Sequence, residues 1–203
     1  MATHHQWAYG IPAPPPLSVV GEGFCVPYPV DLIVKKKIVG LSDARFEVMD
    51  ANGNLLLQVD GSLWSLQKKR VMRDSAGFPI LTMREKVLTA RHRWTVHRGD
   101  SSDGSNLLFS VQRSHPLQIK TQLDVFLANN FHEDICNFNV TGSYSDQSCR
   151  VYKGDTLIAE ANHKFTWGRF CKGKDNFTVK VNPGVDYAFI VTLIVILNEN
   201  DIV

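Results

Sequence analysis

Residues Tyr187–Leu197, YAFIVTLIVIL, run for eleven positions without a charge. Apolar side chains on every side leave neither a 3.6-residue nor a 2-residue period, so whatever this segment forms must be enclosed. Three enclosures compete. A membrane helix needs about 20 apolar residues to cross roughly 30 Å of hydrocarbon. The stretch from Pro183 to Leu197 would span only about 22 Å at ~1.5 Å per residue. Its flanks carry Asp186, Glu199 and Asp201, with no Lys or Arg to anchor the ends, which weighs against a membrane span. A buried central strand suits the β-branched residues Ile190, Val191, Thr192, Ile194, Val195 and Ile196, although the segment is long for a strand. A buried helix suits the approach to the segment. Asn182 is a capping residue type, Pro183 fits the first helical position, and Asp186 lies where a helix start favours negative charge. Local evidence leaves strand and helix evenly matched.

The chain ahead of this segment reads as a succession of short strands. Val30–Val39 is followed by Phe46–Asp50, a turn at Ala51-Asn52-Gly53-Asn54, and Leu55–Val59. Asn-Gly between two apolar runs is a strong hairpin signal, because Gly accepts positive φ freely. The pattern returns as Arg70–Asp74, a turn containing Gly77, and Phe78–Arg84. Both units read strand, Asp, two residues, Gly, strand. Further strands fall at Arg93–Arg98, Leu107–Val111, Leu117–Phe126, Phe138–Gly142, Ser148–Tyr152, Thr156–Ala161 and Phe177–Val181. Ten to twelve strands at short spacing, with many Gly turns, mean an antiparallel sandwich or barrel. If Tyr187–Leu197 is helical, its place is the axis of a closed barrel, whose closure also removes exposed sheet edges. Residues 1–23, with Pro12, Pro14, Pro15 and Pro16, read as a flexible Pro-rich tail, and residues 24–203 as one domain.

Several stretches carry a family likeness. They are Cys25–Leu32 (CVPYPVDL), Phe46–Asn54 (FEVMDANGN), Ile80–Lys86 (ILTMREK), Arg93-Trp94, and Gly173–Phe177 leading to Pro183–Ile190 (PGVDYAFI). Across residues 24–200 the chain resembles the plant LURP-one-related family, which sits in the tubby C-terminal-like superfamily with the phospholipid scramblases. The resemblance implies a mainly β fold: a closed antiparallel barrel of about twelve strands around a central hydrophobic C-terminal helix, here residues 183–198. It also implies three expectations about function. Tubby proteins hold a phosphoinositide on basic barrel side chains and have been proposed as membrane-tethered transcription regulators, so a nuclear location is implied as well. Some plant relatives are linked to defence, and the scramblases suggest lipid translocation. The dense cysteine cluster that scramblases use for palmitoylation is missing. Asp175 and Asp186 alone offer too few oxygens for calcium.

Charge supplies the candidate surface. The formal net charge is only +2, so attraction to an anionic partner must come from a local patch. Residues 1–120 hold 15 Lys and Arg against 10 Asp and Glu, and the remainder 7 against 10. Three basic clusters stand out: Lys35-Lys36-Lys37; Lys68-Lys69-Arg70 with Arg73; and Arg84 and Lys86 with Arg91 and Arg93. Along a strand Lys36 must face opposite to Lys35 and Lys37, so it lies at a rim or snorkels. These residues are the candidate site for an anionic lipid headgroup, each contributing about 1 kcal/mol if it faces such a surface.

Other chemistry is not indicated. No nucleophile elbow, phosphate loop, zinc-protease motif or dinucleotide fingerprint occurs, and no Cys or His pair has zinc-ligand spacing. The expectation is a non-enzyme with no cofactor and no metal. A protein partner is the alternative to a lipid, and no nucleic-acid signature is present. Cys25, Cys136, Cys149 and Cys171 read as free thiols of a reducing compartment, and no secretory pattern opens the sequence. The expected protein is a cytoplasmic monomer, peripheral at the plasma membrane.

Overall fold

The computed structural model describes residues 15–39, 43–61, 68–86, 89–116, 121–143, 148–162 and 176–201. Its strands are β1 (Val30–Val39), β2 (Asp43–Met49), β3 (Leu55–Asp60), β4 (Lys69–Asp74), β5 (Pro79–Glu85), β6 (Trp94–Arg98), β7 (Leu107–Arg113), β8 (Gln122–Leu127), β9 (Phe138–Ser143), β10 (Ser148–Lys153), β11 (Thr156–Asn162) and β12 (Asn176–Val181). Each pairs antiparallel with the next, and β12 returns to pair with β1, closing a twelve-stranded barrel. The helix α1 (Tyr187–Asp201) follows.

The alternation read in the strands faces one set of side chains inward. Leu57 and Val59, Leu81 and Met83, Phe109 and Val111, and Leu123 and Val125 are fully buried pairs spaced two apart. The two hairpins with the Asp-x-x-Gly pattern are built alike. The Asp50 carboxylate accepts the N–H groups of Asn52 (2.9 Å) and Asn54 (2.8 Å), and Asp74 accepts those of Ala76 and Phe78 (both 2.9 Å). Gly53 (φ 87°) and Gly77 (φ 90°) supply the left-handed residue that each three-residue loop requires.

A barrel of about eight strands is filled by its own side chains, and twelve strands leave a wider bore. The helix α1 fills it. Every residue from Ala188 to Asn200 is buried. Phe189 meets Phe109 edge-on at 5.1 Å and Phe138 at 4.8 Å. Thr192, the polar residue within the oily run, donates its hydroxyl to the Ala188 carbonyl (2.8 Å). A helix satisfies its own backbone, whereas a strand needs neighbours that a closed sheet cannot offer. That decides against the strand reading of these β-branched residues.

The start of α1 differs from the sequence expectation. Asn182, Pro183 and Gly184 do not begin the helix but form a turn closed by Val185 N–H to the Asn182 carbonyl (3.2 Å), with Gly184 at φ 74°. Pro followed by a left-handed Gly is the pattern of a type II turn. The cap is Asp186: its Oδ1 accepts the Phe189 N–H at 3.0 Å. Its other oxygen accepts three N–H groups, from Val19 (3.1 Å), Val20 (2.7 Å) and Gly21 (3.1 Å). Residues 15–23, assigned above to a flexible tail, are therefore docked. Leu17 donates to the Gly184 carbonyl (2.8 Å) and accepts from Asp186 N–H (3.1 Å), and Val20 is buried. Residues 1–14 lie outside the described residues.

The end of α1 is polar, buried and met by cations from three strands, β1, β4 and β7. Lys36 on β1 reaches Asn198 Oδ1 (3.1 Å), and Arg70 on β4 pairs with Glu199 (2.7 Å). Arg113 on β7 donates to the Asn200 carbonyl (2.6 Å). Positive charge complements the negative end of a helix. Glu199 is matched by Arg70, whose other terminal nitrogen donates to the Gly61 carbonyl at 2.7 Å.

Two outcomes follow for stability in urea. Asp186→Ala removes a cap and the shared acceptor of three further N–H groups, and is expected to cost about 3 kcal/mol or more. Arg70→Met or Glu199→Leu alone strands a buried charge and costs about 3–5 kcal/mol, whereas the double variant loses less than either. A double variant whose loss equals the sum of the two singles would contradict the pairing.

Candidate functional site

The basic clusters lie toward one end of the barrel. The Lys35–Lys37 run ends β1, Lys68–Arg70 opens β4, Arg84 and Lys86 end β5, and Arg91 and Arg93 precede β6. These ends lie together with the C-terminus of α1, as the contacts of Lys36 and Arg70 with Asn198 and Glu199 establish. In register Lys69 faces Arg84, and Lys86 N–H donates to the Arg93 carbonyl (2.7 Å). The first cluster is set apart, since β2 and β3 separate β1 from β4 by about 14 Å of sheet.

Three of the eleven candidates fall outside this rim. Lys36 and Arg70 occupy inward positions, and Arg70 is 1% exposed, so neither head meets an approaching surface. The inward alternation of β1 and β4 places them there, and the polar end of α1 makes the placement tolerable. Arg73 lies toward the opposite end of β4, where its guanidinium donates to the Gly77 carbonyl (3.1 Å).

Acidic side chains, not foreseen as part of the site, neutralise much of the remainder. Lys37 pairs with Glu47 (2.7 Å), Lys69 with Asp100 (2.6 Å), and Lys68 with Glu85 (3.5 Å), which also meets His92 (3.0 Å). Arg93 grips Glu133 through both guanidinium nitrogens, one contact being 2.7 Å. Among the described residues no carboxylate lies within ion-pair distance of Arg84, Lys86 or Arg91. Lys86 and Arg91 are exposed and Arg84 is half-buried. Burial, followed by the charges of Arg84 and Lys86, holds the His97 imidazole below its ordinary range, so at neutral pH it is uncharged. The segment bearing Lys86 and Arg91 is itself braced. Thr89 Oγ1 accepts the Arg93 N–H (2.9 Å), and Arg113 N–H donates to the Arg91 carbonyl (2.8 Å).

The ion pair of Arg93 and Glu133 draws the β8–β9 connection onto the outside of the sheet, where Glu133 also reaches Ser110. The outward-facing Thr95, Ser110 and Phe126 are buried. The same connection holds Phe131 (87% exposed) and Ile135 (81% exposed) out in solvent, with Asn130 donating to the Ile135 carbonyl at 2.9 Å. No local sequence pattern marks an ion pair across 40 positions.

Hydrogen bonding from Arg93 depresses the Glu133 carboxyl below its ordinary value. A depressed acid stabilises above its unfolded pKa, about 4.3 for Glu, and that support is lost as pH falls through the folded value. Amides of residues 130–136 are expected to exchange faster as pH falls below about 4 once intrinsic rates are corrected, and Glu133→Gln should show that behaviour at neutral pH. Equal protection in both proteins would contradict the clasp.

Comparison with known proteins agrees with this architecture. The LURP-one-related family model matches residues 30–198. Protein LURP-one-related 14 of Arabidopsis thaliana is 50% identical over 199 residues, covering 97% of this chain and 95% of that protein. Protein LURP1 of the same plant is 45% identical over 186 residues, covering 91% and 90%. A crystal structure of an Arabidopsis thaliana protein superposes with a TM-score of 0.69 at 40% identity, covering 89% of this chain and 96% of that one. On sequence and fold alike, this chain belongs to the LURP-one-related family.

Proposed function

We propose that the protein is a non-catalytic binding module that docks on anionic membrane surfaces, phosphoinositide-bearing ones in particular, through the rim carrying Arg84, Lys86 and Arg91. The observation that carries this reading is the absence of carboxylate partners for these three side chains among the described residues, at a rim where their basic neighbours Lys68, Lys69 and Arg93 are all ion-paired. Guanidinium and ammonium heads without carboxylate partners, at the end of β5 and just before β6, suit a multiply charged phosphate headgroup. The bore that would hold a substrate in a wide barrel is taken by α1, which leaves the outer surface as the working part. Arg93, which precedes β6 at that rim, clasps Glu133, and the same connection carries the exposed Phe131 and Ile135. Exposed apolar side chains beside cations match the two-part attraction of peripheral proteins to membranes. No helix among the described residues is long and apolar enough to cross a bilayer.

The test is sedimentation with phosphatidylcholine vesicles, with and without a bisphosphorylated phosphoinositide, at low and physiological salt. Arg84→Glu/Lys86→Glu/Arg91→Glu is expected to lose about 3 kcal/mol of binding, roughly a hundredfold. Lys37→Glu should change little, because that charge is already committed to Glu47. Pelleting that ignores the phosphoinositide, or survives the triple change, would refute the reading.

A further inference from the structure

A second surface lies at the other end of the barrel, where α1 begins. A half-open cleft of about 370 Å³ is lined there by Tyr28, Asp31, Asp50, Asn52, Leu56 and Tyr187, among others, and no lining residue is Lys, Arg or His. This volume lies near the lower end of the range for small-ligand sites. Its walls are held in place. Gly184 N–H donates to the Val26 carbonyl (2.7 Å), which fixes the segment leading to Tyr28. Tyr187, the first residue of α1, is braced edge-on by Phe24 at 5.4 Å.

The two carboxylates differ in their freedom. Asp50 is occupied by its hairpin: Oδ1 accepts two backbone N–H groups and Oδ2 accepts Asn54 Nδ2 (2.8 Å). Those bonds, the Asn54 side chain first, hold its carboxyl below the usual range, so it acts as a fixed negative charge. Asp31 lies on the exposed face of β1. Lys180 faces it in register on β12, but the two form no ion pair. Its oxygens are thus open to a ligand. Burial, then the charge of Asp186, then Tyr28 push the Tyr187 phenol up, so it remains a neutral ring with a hydroxyl to donate.

We propose that this cleft receives the cationic head of a Lys or Arg side chain presented by a partner protein. The ammonium or guanidinium group sits between the Asp31 carboxylate and the rings of Tyr28 and Tyr187, in the field of Asp50. Carboxylates attract the charge and form charge-assisted hydrogen bonds, while aromatic faces attract a cation through their quadrupole. The geometry of the mouth selects the source. The cleft is open on one side, and Tyr28 is 60% exposed at its margin, which admits a side chain projecting from a larger body. This inference is independent of lipid binding, since the cleft and the basic rim occupy opposite ends of the barrel.

The experiment is a titration of the full chain, followed by amide ¹H–¹⁵N spectra, with three capped tripeptides, Gly-Lys-Gly, Gly-Arg-Gly and Gly-norleucine-Gly. The Lys and Arg peptides should give saturable shifts at residues 26–31, 50–52 and 187, and norleucine should give none. Asp31→Asn and Tyr28→Ala should each weaken binding by at least about fivefold, with Glu160→Gln as an unaffected control. No saturation with the cationic peptides would overturn the proposal. So would equal shifts with norleucine, or binding that survives both cleft variants. Should a variant misfold, the comparison of Lys with norleucine on the unaltered chain decides the matter.

Discussion

A fifteen-residue helix without a polar face can be stable in water only when other parts of the chain surround it. The twelve strands do this, and the two partners need each other. The bore is too wide for strand side chains alone to fill, and the helix is too apolar to stand outside it. What positions the helix along that bore is polar chemistry at its ends. Asp186 caps the first turn through the Phe189 N–H and ties it to residues 19–21 with three hydrogen bonds, and Lys36, Arg70 and Arg113 meet the last turn. Carboxylate at the positive end and cations at the negative end follow the direction of the helix dipole.

That arrangement gives the two ends of the barrel opposite characters. The end holding the helix C-terminus is surrounded by strand termini rich in Lys and Arg, some directed inward to α1 and some outward. The other end offers Asp31 and Asp50 beside tyrosine rings. A protein with a nearly balanced total charge thus has two electrostatically distinct faces. On the two proposals above, attachment through one end leaves the other free.

Much of the fold was legible because it is written locally. Alternation and Gly turns located the strands from Val30–Val39 to Phe177–Val181 to within a few residues, and Asp50-x-x-Gly53 and Asp74-x-x-Gly77 mark hairpins that share one hydrogen-bond pattern. The choice of helix over strand for Tyr187–Leu197 was not legible from those residues alone. It depends on sheet closure, and the family resemblance supplied what periodicity lacked. The helix start was misplaced because Pro183-Gly184 reads as a helix opening or a turn with equal ease. The docking of residues 15–23 depends on Asp186, more than 160 positions away. The site was less legible for the same reason. Runs of Lys and Arg are visible in sequence, but Glu47, Glu85, Asp100, Glu133 and Glu199, which decide what each cation is free to do, come from other strands, loops and the helix.

Native-state hydrogen exchange resolved by residue tests the central claim, enclosure of α1 by the barrel, most directly. The amides of Ile190–Leu197 should be the slowest in the chain and exchange only with the free energy of global unfolding. If they exchange through a cheaper local opening while the strands stay protected, the helix is not what the barrel is built around.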